Sequence, residues 1–267
     1  MKDTLRDLVV QRAELGIEPR SVVREYLQAR ILGSLQRAGA MMSIAFHGGT
    51  ALRFLYGLPR FSEDLDFALE DPSRGFALRD GLRFIRSELE AEGYQVDLRV
   101  NDKSVVFSGW VRFPGLLHEL DLSPHREEAL RVRIEVDTEP PAGAELETTL
   151  VRRFVTLRLL HHDRSSLLAG KLHAVLQRSW TKGRDLFDLL WYLSDPGWPE
   201  PNLDLLNNAL LQTGWDGERL SSESWRNVVR ERLRELDWSR VVSDVRPFLE
   251  PPADIELLTL ENMLTLI

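Results

Sequence analysis

Residues 46–67 constrain this chain more than any other stretch. Phe46-His47-Gly48-Gly49-Thr50 closes a short apolar run on a glycine pair, and Arg60-Phe61-Ser62-Glu63-Asp64-Leu65-Asp66-Phe67 follows after a short helical segment. Alternate residues of a strand share a face, so the β-carbons of Asp64 and Asp66 stand about 6.6 Å apart and aim into one site. Ser62 lies on that same face, which carries no apolar residue from 62 to 66. Two carboxylates so close oppose each other's ionisation unless a cation neutralises them. The pattern calls for a divalent metal and a phosphate-bearing substrate. An Asp-x-Asp nucleophile of the haloacid-dehalogenase type does not fit, because Arg60–Glu63 rather than an apolar strand precedes the acids.

A strand that ends in Gly-Gly and passes into a helix presents free backbone N–H groups and a positive dipole end to an anion. Without a β-carbon, glycine lets a phosphate approach the backbone. Gly48, Gly49 and Thr50 are the candidates for that contact. Taken alone, Gly-Gly-Thr is also an ordinary strand-to-helix turn.

The rest of the chain organises around this unit. Residues 1–40 read as helical, with Val22, Val23, Tyr26, Leu27, Ile31, Leu32 and Leu35 on one stripe. Strands are expected at 43–46, 62–69, 94–100, 104–112, 130–137 and 153–160. Helices are expected at 50–56, 76–92 and 166–180, the last capped by Ser165 or Ser166. Further helices are expected at 184–194, 202–213, 218–236 and 239–248. The fold class is α+β, with residues 1–160 as a mixed-sheet core carrying the N-terminal helices and residues 161–267 as a helical portion.

A chain of 267 residues supports one large domain or two modest ones. It has no apolar run near the roughly 20 residues that span a bilayer. The charged N-terminus carries no signal-peptide core, and the absence of cysteine excludes thiolate metal sites. The expectation is a cytoplasmic protein with no membrane partner. A net charge of −8 argues against indiscriminate nucleic-acid binding. Arginines nevertheless cluster at 126–133 and 152–164, which leaves room for a local basic groove.

Two further segments carry chemistry. In Leu130–Asp137 the apolar residues alternate with Arg131, Arg133, Glu135 and Asp137, a polar face on a strand of an otherwise buried sheet. Either Glu135 or Asp137 supplies a third carboxylate if this strand neighbours Asp64. Leu167–Ala174 holds Lys171 among apolar residues, which aims its ammonium into a cleft as a point charge for a triphosphate. Arg178 follows on the same side. Asp185 and Asp188 lie one turn apart on the next helix, with Asp188 set among Leu186, Phe187, Leu189 and Leu190. His47, His161, His162 and His173 have no metal-ligand spacing.

In combination, Phe46–Leu52, Arg60–Phe67, Arg133–Asp137, Lys171–Ala174 and Arg184–Leu189 resemble the nucleotidyltransferase AbiEii/AbiGii toxin family, in order, from about residue 20 to 195. The resemblance implies a polymerase β-type nucleotidyltransferase fold with a mixed sheet followed by a helical C-terminal portion. It implies Gly48, Gly49 and Ser62 at the nucleotide phosphates, and Asp64 and Asp66 as ligands of Mg²⁺ or Mn²⁺, a metal set that Glu135 or Asp137 of the polar strand would complete. Lys171 would meet the triphosphate, and Asp188 or Asp185 would be a further catalytic acid. Arg131 and Arg133 would contact the triphosphate or an RNA backbone. Some members of the family transfer nucleotides to the 3′ acceptor end of tRNA and block translation. The expected partners are therefore an NTP, tRNA and a cognate antitoxin. Nucleotidylation of a protein and a non-catalytic nucleotide-binding regulator are the competing readings.

Overall fold

A computed structural model describes residues 2–74, 77–178, 180, 182–250 and 255–267. The chain opens with α1 (Lys2–Ala13), α2 (Pro19–Arg37), β1 (Ile44–His47), α3 (Gly48–Tyr56) and β2 (Asp64–Leu69). Next come α4 (Leu78–Ala91), β3 (Asp97–Asn101), β4 (Val106–Pro114), the single turn α5 (Leu116–Glu119) and β5 (Ala129–Asp137). Strands β6 (Leu146–Arg153) and β7 (Val155–His162) precede α6 (Arg164–Gln177), α7 (Gly183–Leu193) and α8 (Leu203–Gln212). Helices α9 (Trp225–Arg234), α10 (Trp238–Val245) and α11 (Leu260–Leu266) end the chain. None of the described helices is long and apolar enough to cross a membrane.

Among the described residues, seven strands make one mixed sheet in the order β3-β4-β5-β2-β1-β7-β6. Strand β2 runs antiparallel to β1 and parallel to β5, so the acid-bearing strand is central. The alternation in β5 decides which face is core. Leu130, Val132, Ile134 and Val136 are buried, while Arg131 is exposed and Arg133, Glu135 and Asp137 are half-buried. Helices α2 and α4 cover the apolar face, α2 on β5 and α4 on β3 and β4. Each fully buried aliphatic side chain there contributes about 1.5–3 kcal/mol. Gly109 of β4 makes the α4 contact close, since a β-carbon on it would stand 2.7 Å from Leu82 Cδ1.

Polar contacts then fix the entry to β2. Glu25 of α2 is buried and accepts from Arg53 of α3 and from Arg153 of β6 at 2.6 Å. Gln28 Nε2 donates to the Ser62 carbonyl at 3.1 Å. The Thr50 hydroxyl donates to the Asp64 carbonyl. These buried bonds leave the start of β2 little freedom.

By contact the chain divides into two compact units. The sheet unit comprises residues 1–57, 61–140 and 148–161, and the helical unit comprises 58–60, 141–147 and 162–267. In the helical unit, α7 and α10 pack very closely. A β-carbon on Gly183 would lie 2.0 Å from the Val241 carbonyl oxygen, and Asp244 Oδ2 accepts from Gly183 N at 2.8 Å.

Several sequence expectations change. The helical stretch 1–40 is two helices broken at Gly16, whose φ is +75°. Helix α3 begins at Gly48, so both glycines lie inside its first turn rather than before it. Asp163, not Ser165 or Ser166, caps α6, accepting from Ser166 N at 2.7 Å. Strand β6 was not anticipated. It lies at the end of the sheet with most residues exposed, so it lacks apolar alternation. Phe76, expected to open α4, lies outside the described residues.

Candidate active site

Register, not sequence spacing, assembles the acids in the sheet unit. Asp66 is paired with His47 on β1 and with Glu135 on β5, and Asp64 is paired with Arg133. Residues paired across neighbouring strands project from the same face. Asp64, Asp66 and Glu135 therefore share one face at the middle of the sheet. Asp137 lies one pair further on, opposite Ala68 of β2 and Val106 of β4. Burial raises its pKa, and its carboxylate already accepts from Glu139 N at 3.0 Å. Register thus separates Glu135 from Asp137, which the sequence left equivalent.

The glycine pair has a specific reason to be there. Gly48 has a φ of +77°, a left-handed conformation that a side chain strains, and a β-carbon on it would stand 2.7 Å from Asp66 Oδ2. The Asp66 carboxylate occupies the space that a side chain at 48 would take. Thr50 is fully buried with its hydroxyl on the Asp64 carbonyl, so its side chain anchors β2 and is not presented to an anion. Ser62 is half-buried, with its carbonyl held by Gln28.

The expected three-carboxylate metal set is modified by an ion pair. Glu135 Oε1 lies 2.8 Å from Arg133 Nη2. Among the described residues, no three His, Asp or Glu side chains converge as a metal-holding group. Asp64 and Asp66 remain as paired oxygen donors on one face. Such a pair fits Mg²⁺ or Mn²⁺, since Mg²⁺ is commonly held by one or two carboxylates together with substrate phosphates. Arg131 and Arg133 lie on this face too, with the Arg133 guanidinium 5.2 Å from the centre of the Trp110 ring.

The helical unit contains a buried chain of charges. Arg60 grips Asp188 with two bonds of 2.5 and 2.6 Å, Lys171 Nζ lies 2.7 Å from Asp188 and 3.1 Å from Asp185, and Arg178 reaches Asp185 at 2.7 Å. Asp188 is wholly enclosed, and the Lys171 side chain is only 10% exposed. The expectation that the Lys171 ammonium points into an open cleft is corrected: two aspartates surround it. Burial works against its charge, but Asp188 and Asp185 outweigh burial and raise its pKa. Burial likewise opposes ionised Asp185, yet Lys171 and Arg178 hold its pKa below the usual range. His161 is buried against Thr149 at 2.8 Å, and His173 bonds Thr213 at 2.9 Å, both structural positions.

Two residues with clear roles in these clusters had none assigned from sequence. Arg60 was part of a recognisable motif, but its partner is 128 residues away. Trp110 was legible only as a large aromatic with the same strand parity as the polar Ser108 and Arg112.

The chain is similar to known proteins. The family model described as "Nucleotidyl transferase AbiEii toxin, Type IV TA system" matches residues 30–259. No curated protein matches the chain. Among solved structures, MenT4, a nucleotidyltransferase toxin of Mycobacterium tuberculosis H37Rv, is similar at 17% identity with a TM-score of 0.60, over 100% of this chain and 89% of that one. JHP933 from Helicobacter pylori is similar at 20% identity with a TM-score of 0.58, over 94% and 91% of the two chains. At these identities the likeness is one of fold, a mixed seven-stranded sheet with α-helices, as in nucleotidyltransferase toxins. With the family model spanning most of its length and paired acids behind a glycine turn on the central strand, the chain belongs to the AbiEii nucleotidyltransferase toxin family of type IV toxin–antitoxin systems.

Proposed function

We propose that this nucleotidyltransferase moves a nucleotidyl group from an NTP to RNA, at the 3′ acceptor end of tRNA, and so blocks translation. The observation that carries the reading is the register placing Asp64, Asp66 and Glu135 on one face beside the Gly48 turn. Asp64 and Asp66 would hold Mg²⁺ or Mn²⁺. Bound there, the ion supplies charge neutralisation for an in-line displacement at the α-phosphate. The backbone N–H groups at the start of α3 face the phosphates and favour their negative charge. Glu135 exchanges its Arg133 partner for the acceptor hydroxyl and takes its proton as the new P–O bond forms. Arg133, released, stabilises charge on the departing pyrophosphate. A cognate antitoxin is the expected protein partner.

The test incubates the protein with each labelled NTP, Mg²⁺ and total RNA. Label entering small RNA with wild type, and none with Asp64→Ala, is the expected result. Label entering a protein band instead would select protein nucleotidylation. Tight nucleotide binding without pyrophosphate release under any acceptor would select the non-catalytic reading.

A further inference from the structure

The polar sheet face continues outward from Asp64 as a track of arginines with one aromatic in its middle. Asp64 is paired with Arg133 on β5, Arg133 with Trp110 on β4, and Trp110 with Arg99 on β3. In the adjoining row, Arg131 on β5 is paired with Arg112 on β4, and Arg112 with Asp97 on β3. All project from one face, and the run from β2 to β3 covers about 14 Å at the usual strand spacing. A groove of about 370 Å³ lies at its Asp64 end, lined by Trp110, Arg131 and Arg133, reached by Arg24 from α2, and bounded by the acids Glu63 and Glu128.

Within the track Arg133 is paired with Glu135. Several other arginines of the sheet unit are paired as well: Arg30 with Glu92, Arg37 with Glu88, Arg53 with Glu25 and Arg79 with Asp102. The side chains of Arg99, Arg112 and Arg131 have no hydrogen bond or ion pair among the described residues. Arg99 and Arg131 are exposed, and Arg112 and Trp110 are half-buried. The Nε groups of Arg24 and Arg133 are buried donors without an acceptor. Unpaired guanidinium groups next to a half-open indole are the two elements that single-stranded nucleic acid needs, a cationic path for phosphates and a platform for a base. An acidic protein segment would use the arginines but not the ring. On a chain of net charge −8, nucleic acid has to be held by such a local patch.

We infer that this track seats the single-stranded end of the acceptor RNA. Its phosphates lie along Arg131, Arg112 and Arg99, a base stacks on Trp110, and the terminal hydroxyl reaches toward Asp64. The inference rests on the RNA-acceptor reading above and adds the binding path.

The test uses the full chain and a 5′-fluorescein-labelled single-stranded RNA octamer, with binding read by anisotropy across a salt series. Arg131→Ala and Arg112→Ala should each weaken binding and reduce the slope of log K against log salt by about 0.7. Trp110→Leu should weaken binding about 5- to 150-fold, whereas Trp110→Phe, which keeps a stacking ring, should stay within about threefold of wild type. Affinity for the magnesium–NTP complex should be unchanged in Arg112→Ala and in both Trp110 variants. Arg131 is exposed, so Arg131→Ala tests the track even if a Trp110 variant melts early. If wild type binds no RNA, the acceptor reading itself fails. If wild type binds and the variants bind equally well, this track alone is refuted. Parallel loss of NTP affinity in those three variants would also overturn it.

Discussion

Replacing Asp188 by alanine probes the charge chain of the helical unit most directly. The Asp188 carboxylate is fully enclosed and serves two cations, Arg60 through two bonds of 2.5 and 2.6 Å and Lys171 at 2.7 Å. Arg60 is 2% exposed in its side chain, so its charge stays buried when the carboxylate is removed. Lys171 keeps Asp185 at 3.1 Å. Breaking one side of a buried ion pair costs about 3–5 kcal/mol, chiefly because the surviving charge stays buried. Unfolding entropy near 2.1 cal/mol/K per residue gives about 0.56 kcal/mol/K for the whole chain, hence a fall in Tm of about 5–9 °C. Asp185→Ala should cost clearly less, because Lys171 retains Asp188 and Arg178 is 36% exposed to solvent. Circular dichroism at 222 nm, on heating and in urea, measures both. An Asp188→Ala chain that melts within 1–2 °C of wild type, or above Asp185→Ala, would refute the assignment of Asp188 as the frame for two buried cations. The double variant Arg60→Met/Asp188→Ala should recover about 2–3 kcal/mol relative to the sum of the singles.

Gly48→Ala should lower stability by about 1–2 kcal/mol for its positive φ, and should reduce nucleotidyl transfer much further, because its β-carbon displaces the Asp66 carboxylate. Unchanged turnover with a normal melt would contradict this. Gly183→Ala has to separate α7 from α10 and should cost about 1–3 kcal/mol or more, read from the urea midpoint. In acid the helical unit should weaken in two stages. Burial, then Arg178, depress the pKa of His173, so the unfolded chain binds its proton first and stability is lost as pH falls below about 6.5. The depressed pKa of Asp185 adds a second loss below about pH 3.8. The raised pKa of Lys171 gives a contribution that is complete below about pH 10.5 and is lost as pH rises from there through its folded-state pKa. Melting curves from about pH 2 to 9, with His173→Gln removing the first stage, check the order; a decline beginning only below about pH 4 would contradict it.

Much of this was readable in the chain because it is periodic over short distances. The β5 alternation of Leu130, Val132, Ile134 and Val136 with charged residues gave its two faces, and the Asp64–Asp66 spacing gave a shared site. Strand β6 was not readable, since an exposed end strand has no apolar face to repeat. The sequence offers Ser165 or Ser166 as the α6 cap, but Asp163 is an equally good cap residue, and only backbone geometry selects it. Apolar neighbours aim Lys171 into a cleft as a point charge, but they say nothing of the aspartates a helix away.

The sequence by itself determined the chemistry available: two acids on one strand face, glycines before them, a charged strand, and a lysine among leucines. Only the tertiary structure decided which of those groups meet. Register puts Glu135 rather than Asp137 beside Asp66, and long-range folding brings Arg60 to an aspartate 128 residues away. Periodicity is a property of neighbouring residues, whereas register and buried ion pairs arise when distant segments are brought together and the low dielectric between them makes each charge find its partner.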